Sequence, residues 1–379
     1  MLTGRGEAIG TRMDTSMGRL CLQFPHEFLQ TGWPVRLVAA IPLLLIVAVF
    51  IGVVMLSGVL LGCGVLSSAL LAAAISLPGR LWPPRSPLQD TLEKFRQKLC
   101  GVAPTPRPKG PGRAITVGKI MTLLDLFRAH IRDRAAYYLT KNIIVPLTVS
   151  KRLSYVELVG AADVEWFVSH FWGTPFSHFC DTVLKHAHCE LAAGPDGAWQ
   201  DVSYWICFLS NNQHDVKAEL GEGWHESSFY LALRSGLCKG TCMVLDEEAL
   251  PLTRVWCIFE LLQTLLLHQI DAQFQGLLLC TSTGILNIGN SSVEVALNVA
   301  KRIVTLDLEN AQASSEADKT MINGLVRKEM GNFSAMNRLV HQELRKVLLT
   351  AQSRTMEDFT RVFDSLDGAE PLDEEFLSI

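Results

Sequence analysis

From Leu37 to Gly79 the chain runs for 43 consecutive residues without an Asp, Glu, Lys, Arg or His. One upright membrane crossing needs about 20 apolar residues, because the hydrocarbon core is about 30 Å thick and a helix rises about 1.5 Å per residue. The run is too long for one such helix and long enough for two. It divides naturally into Leu37 to Leu56 and Leu60 to Leu77, with the break at Ser57-Gly58 or at Gly62-Cys63-Gly64. Arg19 and Arg36 precede it, and Arg80, Arg85, Lys94, Arg96 and Lys98 follow it. Positive charge on both flanks places both ends in the cytosol. A secretory signal does not fit, since the run starts too late and is far too long. The expectation is a transmembrane helical hairpin (37–79) in the lipid bilayer, with a cytosolic main domain.

The remaining chain has room for one sizeable globular domain. A net charge of -4 in 379 residues argues against a nucleic-acid partner. The ten cysteines fall singly. Cys207, Cys242, Cys257 and Cys280 sit in apolar patterns, as free buried thiols do in a reducing compartment. Neither a Cys-x-x-Cys pair nor a His-Glu-x-x-His occurs, so no metal site is expected, and His186-x-His188-Cys189 reads as a coincidence of a helix surface.

Residues 1–36 read as a flexible cytosolic tail and 80–153 as a proline-rich linker and helix. Within the latter, a short charged helix is expected near Gln89 to Leu99 and a longer one over Ile115 to Ile143. The main domain spans 154–350 and an acidic tail 351–379. Almost continuous apolar runs predict strands at Val164 to Ser169, Ser203 to Ser210, Gly240 to Asp246, Gln275 to Thr281 and Ile303 to Leu308. Helical patterns separate them, at Pro175 to Cys189, Glu226 to Ser235, Val255 to Gln269 and Ser292 to Arg302. Thr253 is the expected cap of the third of these. Two more helices, Ser315 to Lys328 and Ser334 to Leu349, close the domain. The alternation implies an α/β fold with a doubly wound, mostly parallel five-stranded sheet.

Ligands of such sheets bind beyond the carboxyl ends of the strands. That rule selects Ser169 and Trp172 after the first strand, Asn211 after the second, Asp246 after the third, and Glu260 in the helix that follows. No G-x-G-x-x-G and no Walker-type phosphate loop accompanies them. Trp256 and Glu260 are four residues apart on one helix and share a face, so an aromatic wall beside a carboxylate is a credible ligand site. A plainer role for Glu260 is a helix-start carboxylate satisfied by Arg254 or by the helix dipole. A Ser-His-Asp arrangement of Ser169, His214 and Asp246 lacks the glycines of a nucleophile elbow.

Asp163 through Ser169 reads aspartate, apolar residues, then serine, and Trp256-Cys257-Ile258-Phe259-Glu260-Leu261 reads W-C-x-x-E-L. In these features the stretch from Asp163 to Leu261 resembles a TIR (Toll/interleukin-1 receptor) domain, of the divergent kind found in protists and algae. The resemblance implies a flavodoxin-like fold, a signalling role through self-association, and Glu260 as the catalytic residue of NAD-cleaving members. On that reading NAD is a substrate and no resident cofactor is needed. Glu260 would stabilise the developing oxocarbenium ion, Trp256 or Trp172 would wall the site, and Ser169, Asn211 and Asp246 would lie along it. The sequence departs from the family at His170-Phe171-Trp172-Gly173, where a charged loop is usual. A scaffold without turnover, or a nucleotide sensor, fits the same resemblance.

Overall fold

The computed structural model describes residues 44–52, 85–192 and 198–366. The chain divides into two compact units, Arg19–Asp90 and a larger one that includes Thr91–Ile379. In the smaller unit, residues 44–52 are helical and expose Leu44, Leu45, Ile46, Val49 and Phe50. No helix among the described residues is long and apolar enough to cross a membrane. The rest of the hairpin expected over 37–79, like the tail 1–36, lies outside the described residues.

The larger unit is mixed α/β, built on a six-stranded sheet in the order β1-β3-β2-β4-β5-β6. The strands are β1 (Ile115–Thr116), β2 (Trp166–His170), β3 (Ser203–Ile206), β4 (Gly240–Val244), β5 (Leu277–Thr281) and β6 (Gly284–Ile285). β2 to β5 are mutually parallel, while β1 and β6 are short antiparallel edges on β3 and β5. β2, β3 and β4 are buried along their whole length, as their uninterrupted apolar sequences require.

The main helices are α1 (Pro87–Leu99), α2 (Val117–Ile131), α3 (Phe176–Ala192), α4 (Ser228–Leu233), α5 (Val255–Ile270), α6 (Val293–Val304), α7 (Glu316–Met330) and α8 (Phe333–Leu366). Because alternate strand residues face opposite ways, Phe167, Trp205, Met243 and Leu279 join one core cluster with Ile258, Phe259 and Leu262 of α5. α6 supplies Ala296, Val299, Ala300 and Ile303 to it, a three-and-four spacing that turns one stripe inward. On the opposite face Trp166 and His170 meet His186 and Phe179 of α3. Gly240, opposite Trp166 in the register, leaves room for the indole: a Cβ there would fall 2.6 Å from the ring.

Several expected boundaries move. The helix expected over Ile115 to Ile143 begins with a strand and breaks at Arg132, which takes a positive φ of 48°. The strand expected to run to Ser210 stops at Ile206, because the Ser210 hydroxyl accepts the Ile206 N–H at 3.0 Å and folds Cys207–Ser210 into a helical turn. Ile303 to Leu308 is not a strand: α6 continues through Val304 and a 3-10 turn follows at Leu308–Asn310. Thr253 does not cap α5, since its hydroxyl donates to Leu250 O at 2.7 Å. α8 continues to Leu366, into the segment read as an acidic tail, although its buried residues stop at Ala351.

The segment before β1 is fixed to the domain by a buried ion cluster. Arg113 reaches Glu219 at 2.6 Å and Glu157 at 3.5 Å, and none of the three side chains is more than 11% exposed. Glu157 also closes a capping box with Ser154 and accepts the Arg107 N–H at 2.9 Å. Removing Arg113 strands two carboxylates in a dry setting. Arg113→Met is expected to destabilise the fold by about 3–5 kcal/mol in chemical denaturation, with part of the loss recovered by adding Glu219→Gln.

Candidate functional site

The strand order reverses about β2, since β3 lies on one side of it and β4 on the other. In an open parallel sheet, ligands bind outside the carboxyl ends of the strands at such a reversal. Ser169, the penultimate residue of β2, points to the α5 face. Its hydroxyl donates to Glu260 Oε2 at 2.5 Å. Glu260 stands in the second turn of α5 between the buried Phe259 and Leu261, and is itself 9% exposed.

Burial pushes the Glu260 carboxyl up to about 8, against a smaller downward pull from the Ser169 hydroxyl. The side chain is therefore a neutral acid at pH 7. Two thiols are part of the same surroundings. Cys257, one turn earlier on α5, directs its sulfur to His170 O at 3.4 Å, and its thiol is pushed well up by burial and then by Glu260. Cys207, in the turn after β3, is pushed up to about 12 by burial, with Glu260 adding to the shift and the Trp172 hydrogen bond opposing it. The Trp172 indole N–H donates to Cys207 Sγ at 2.9 Å, and its ring leans on Tyr137 and Phe208.

Ser169 is thus bonded to Glu260 and Trp172 to Cys207, and the Glu260 charge acts on the Cys207 thiol. The other sequence-selected residues are engaged elsewhere. Trp256 donates its indole N–H to Asp318 at 3.1 Å and packs edge-on against Phe229, on the side of α5 that meets α4 and α7. Asn211 accepts the Ser228 hydroxyl at 2.5 Å. Asp246 closes its own turn by accepting Leu250 N–H at 2.9 Å and takes a long bond from Thr174. Arg254 lies over the Phe171 ring, 5.5 Å from its centroid, rather than pairing with Glu260. His214 bonds Thr148 at 2.9 Å, so Ser169, His214 and Asp246 have no bonds to one another. His170 is buried among Phe179 and Phe208, with burial holding it down to about 3 as a neutral core residue.

The sequence marks Cys257 and Cys207 as free buried thiols but does not place them beside Glu260. Cys257 lay inside the W-C-x-x-E-L motif, and Cys207 lay at the apolar end of a strand, where a helical turn was not foreseen. The described cysteines are free, and most are buried. Among the described residues, His186, Cys242 and Cys280 have ligand atoms within 4.8 Å of one another, on the other face of the sheet from Glu260. An open depression of about 390 Å³ lies beside Glu247, Glu248, Asn298 and Arg302, and it does not include Glu260.

No protein-family model matches the chain, and neither a curated protein nor a solved structure matches it.

As a chemical arrangement, an enclosed neutral carboxyl can donate a proton but cannot stabilise a cation. It gains charge when water reaches it. Between about pH 4.5 and 8 the unfolded chain has released this proton while the folded chain keeps it, so stability falls as pH rises through that window and levels above it. Glu260→Gln keeps the shape without the acid. It is expected to exceed the parent by about 3 kcal/mol near pH 7 and to match it below pH 4.5, measured by denaturation of the full chain across pH.

Proposed function

We propose that the chain is a membrane-attached, TIR-like signalling protein that works by self-association, with Glu260 held as an enclosed neutral acid. The observation that carries this reading is the Ser169–Glu260 pair, sealed at the point where the strand order reverses. The parallel strands follow the order second, first, third, fourth, which is that of a flavodoxin-like sheet. The W-C-x-x-E-L motif, which carries the TIR resemblance, falls at the start of the helix after the third of them. Attachment to lipid rests on the uncharged run 37–79 and on the exposed apolar side chains of residues 44–52 within it. Confinement to a bilayer raises the local concentration of copies without any new contact.

Cleavage of NAD at the nicotinamide–ribose bond is the second reading, favoured by the position of Glu260 at the strand ends. It requires an opened conformation in which Glu260 is wetted and ionised, so that its charge can stabilise an oxocarbenium ion and accept ribose hydroxyls. Trp172 is then the candidate aromatic wall, because the Trp256 indole is engaged by Asp318 and Phe229.

The two readings separate in one experiment on the full chain in lipid vesicles, at low and high surface density, followed by cross-linking and by nicotinamide release from NAD. Self-association with background release, the same in Glu260→Ala, supports the signalling scaffold. Release that falls about 10²–10³-fold in Glu260→Ala supports the hydrolase. A chain that neither associates nor turns over NAD overturns both.

A further inference from the structure

We propose that His186, Cys242 and Cys280 are the ligands of a buried metal site for a divalent, thiolate-binding ion of the zinc class, on the α3 face of the sheet. Cys242 and Cys280 stand on the adjacent strands β4 and β5. The register pairs Cys242 with Leu278 and Val244 with Cys280, which puts the two thiols two positions apart on the same face. His186 descends onto that face from α3, and its ring meets Trp166 edge-on at 4.5 Å. One imidazole nitrogen and the two sulfurs lie within 4.8 Å of one another. On a shared tetrahedral zinc such atoms sit roughly 3.5 Å apart, so binding asks for a contraction of at most about an ångström.

A second observation points independently to a ligand. All three side chains are wholly buried, and His186 Nε2, like both ring nitrogens of His170, has no hydrogen-bond partner among the described residues. Its other nitrogen, Nδ1, is 2.7 Å from the Tyr204 hydroxyl. A buried ring nitrogen without a partner is a cost that a folded protein ordinarily removes. Metal-bound imidazoles commonly have their second nitrogen held by an outer group, and Tyr204 already occupies that place for a metal bound through Nε2. Burial holds His186 down to about 3, so the imidazole is neutral and its lone pair is available to a cation.

Charge selects the ion. Two thiolates and a neutral imidazole balance a divalent cation, whereas a monovalent one leaves a net negative charge in a dry interior. Without metal, burial pushes the Cys280 thiol well up, with Cys242 beside it adding to the shift. Binding therefore displaces thiol protons and strengthens as pH rises. The ligands come from α3, β4 and β5, so the ion joins a helix to the sheet it covers.

The test uses the full chain, purified without chelator from zinc-supplemented culture, with bound metal counted by elemental mass spectrometry. The expected result is about one zinc per chain, falling at least about tenfold in Cys242→Ser and in Cys280→Ser and unchanged in Cys238→Ser, a buried cysteine outside the trio. Cobalt loading of the unmodified chain should give a thiolate-to-cobalt charge-transfer band. Should the serine variants fail to fold, alkylation of the unmodified chain with and without added Zn²⁺ decides: zinc should protect Cys242 and Cys280 and leave Cys238 unaffected. Absence of both zinc and the cobalt band, equal retention in the serine variants, no protection by zinc, or a Cys242–Cys280 disulfide in the isolated chain overturns the proposal.

Discussion

Strands β2, β3 and β4 are covered on both faces, and water cannot serve the polar side chains they bring inside. Such groups must be answered from within the protein or carry the cost of being unanswered. Thr241 is answered by Thr264 at 2.7 Å and Ser169 by Glu260 at 2.5 Å. Thr264 in turn bonds the Glu260 carbonyl at 2.8 Å, so α5 is fastened to the sheet by a short polar seam inside an apolar cluster. The same dryness raises the Glu260 carboxyl and the Cys280 thiol and depresses the His186 imidazole. One constraint thus sets the chemistry on both faces, where it favours neutral forms that an incoming charge or water can convert.

The central sheet was legible because a strand buried on both sides must be apolar along its length, and four such runs coincide with β2 to β5. The edges were not. β1 and β6 are two residues each and exist by pairing with β3 and β5, which no local pattern announces. Ile303 to Leu308 looked like a strand because α6 ends in β-branched residues, yet the three-and-four spacing of Ala296, Val299, Ala300 and Ile303 wins by matching the core stripe.

The candidate site was legible in part, for a similar reason. Placing Glu260 at the sheet edge needed only its position after a strand and a turn. The direction of Trp256 needed its partners: Asp318 on α7 and Phe229 on α4 draw the indole away. The His186, Cys242 and Cys280 trio was invisible to spacing rules because it is assembled by strand register and helix packing from three elements far apart in the chain. His188 and Cys189, the neighbours that made His186 look like part of a local cluster, are not in it.

The enclosure of Glu260 also has an aqueous signature. With a carboxyl that holds its proton up to about pH 8, the folded chain at neutral pH carries one proton that ordinary solvent would have removed. Whatever wets that side chain, be it a ligand, a second copy or a local loosening of α5, ejects the proton into the surroundings. Opening of the site is in this sense a small acid release, and weakly buffered solution can register it without knowledge of what caused it.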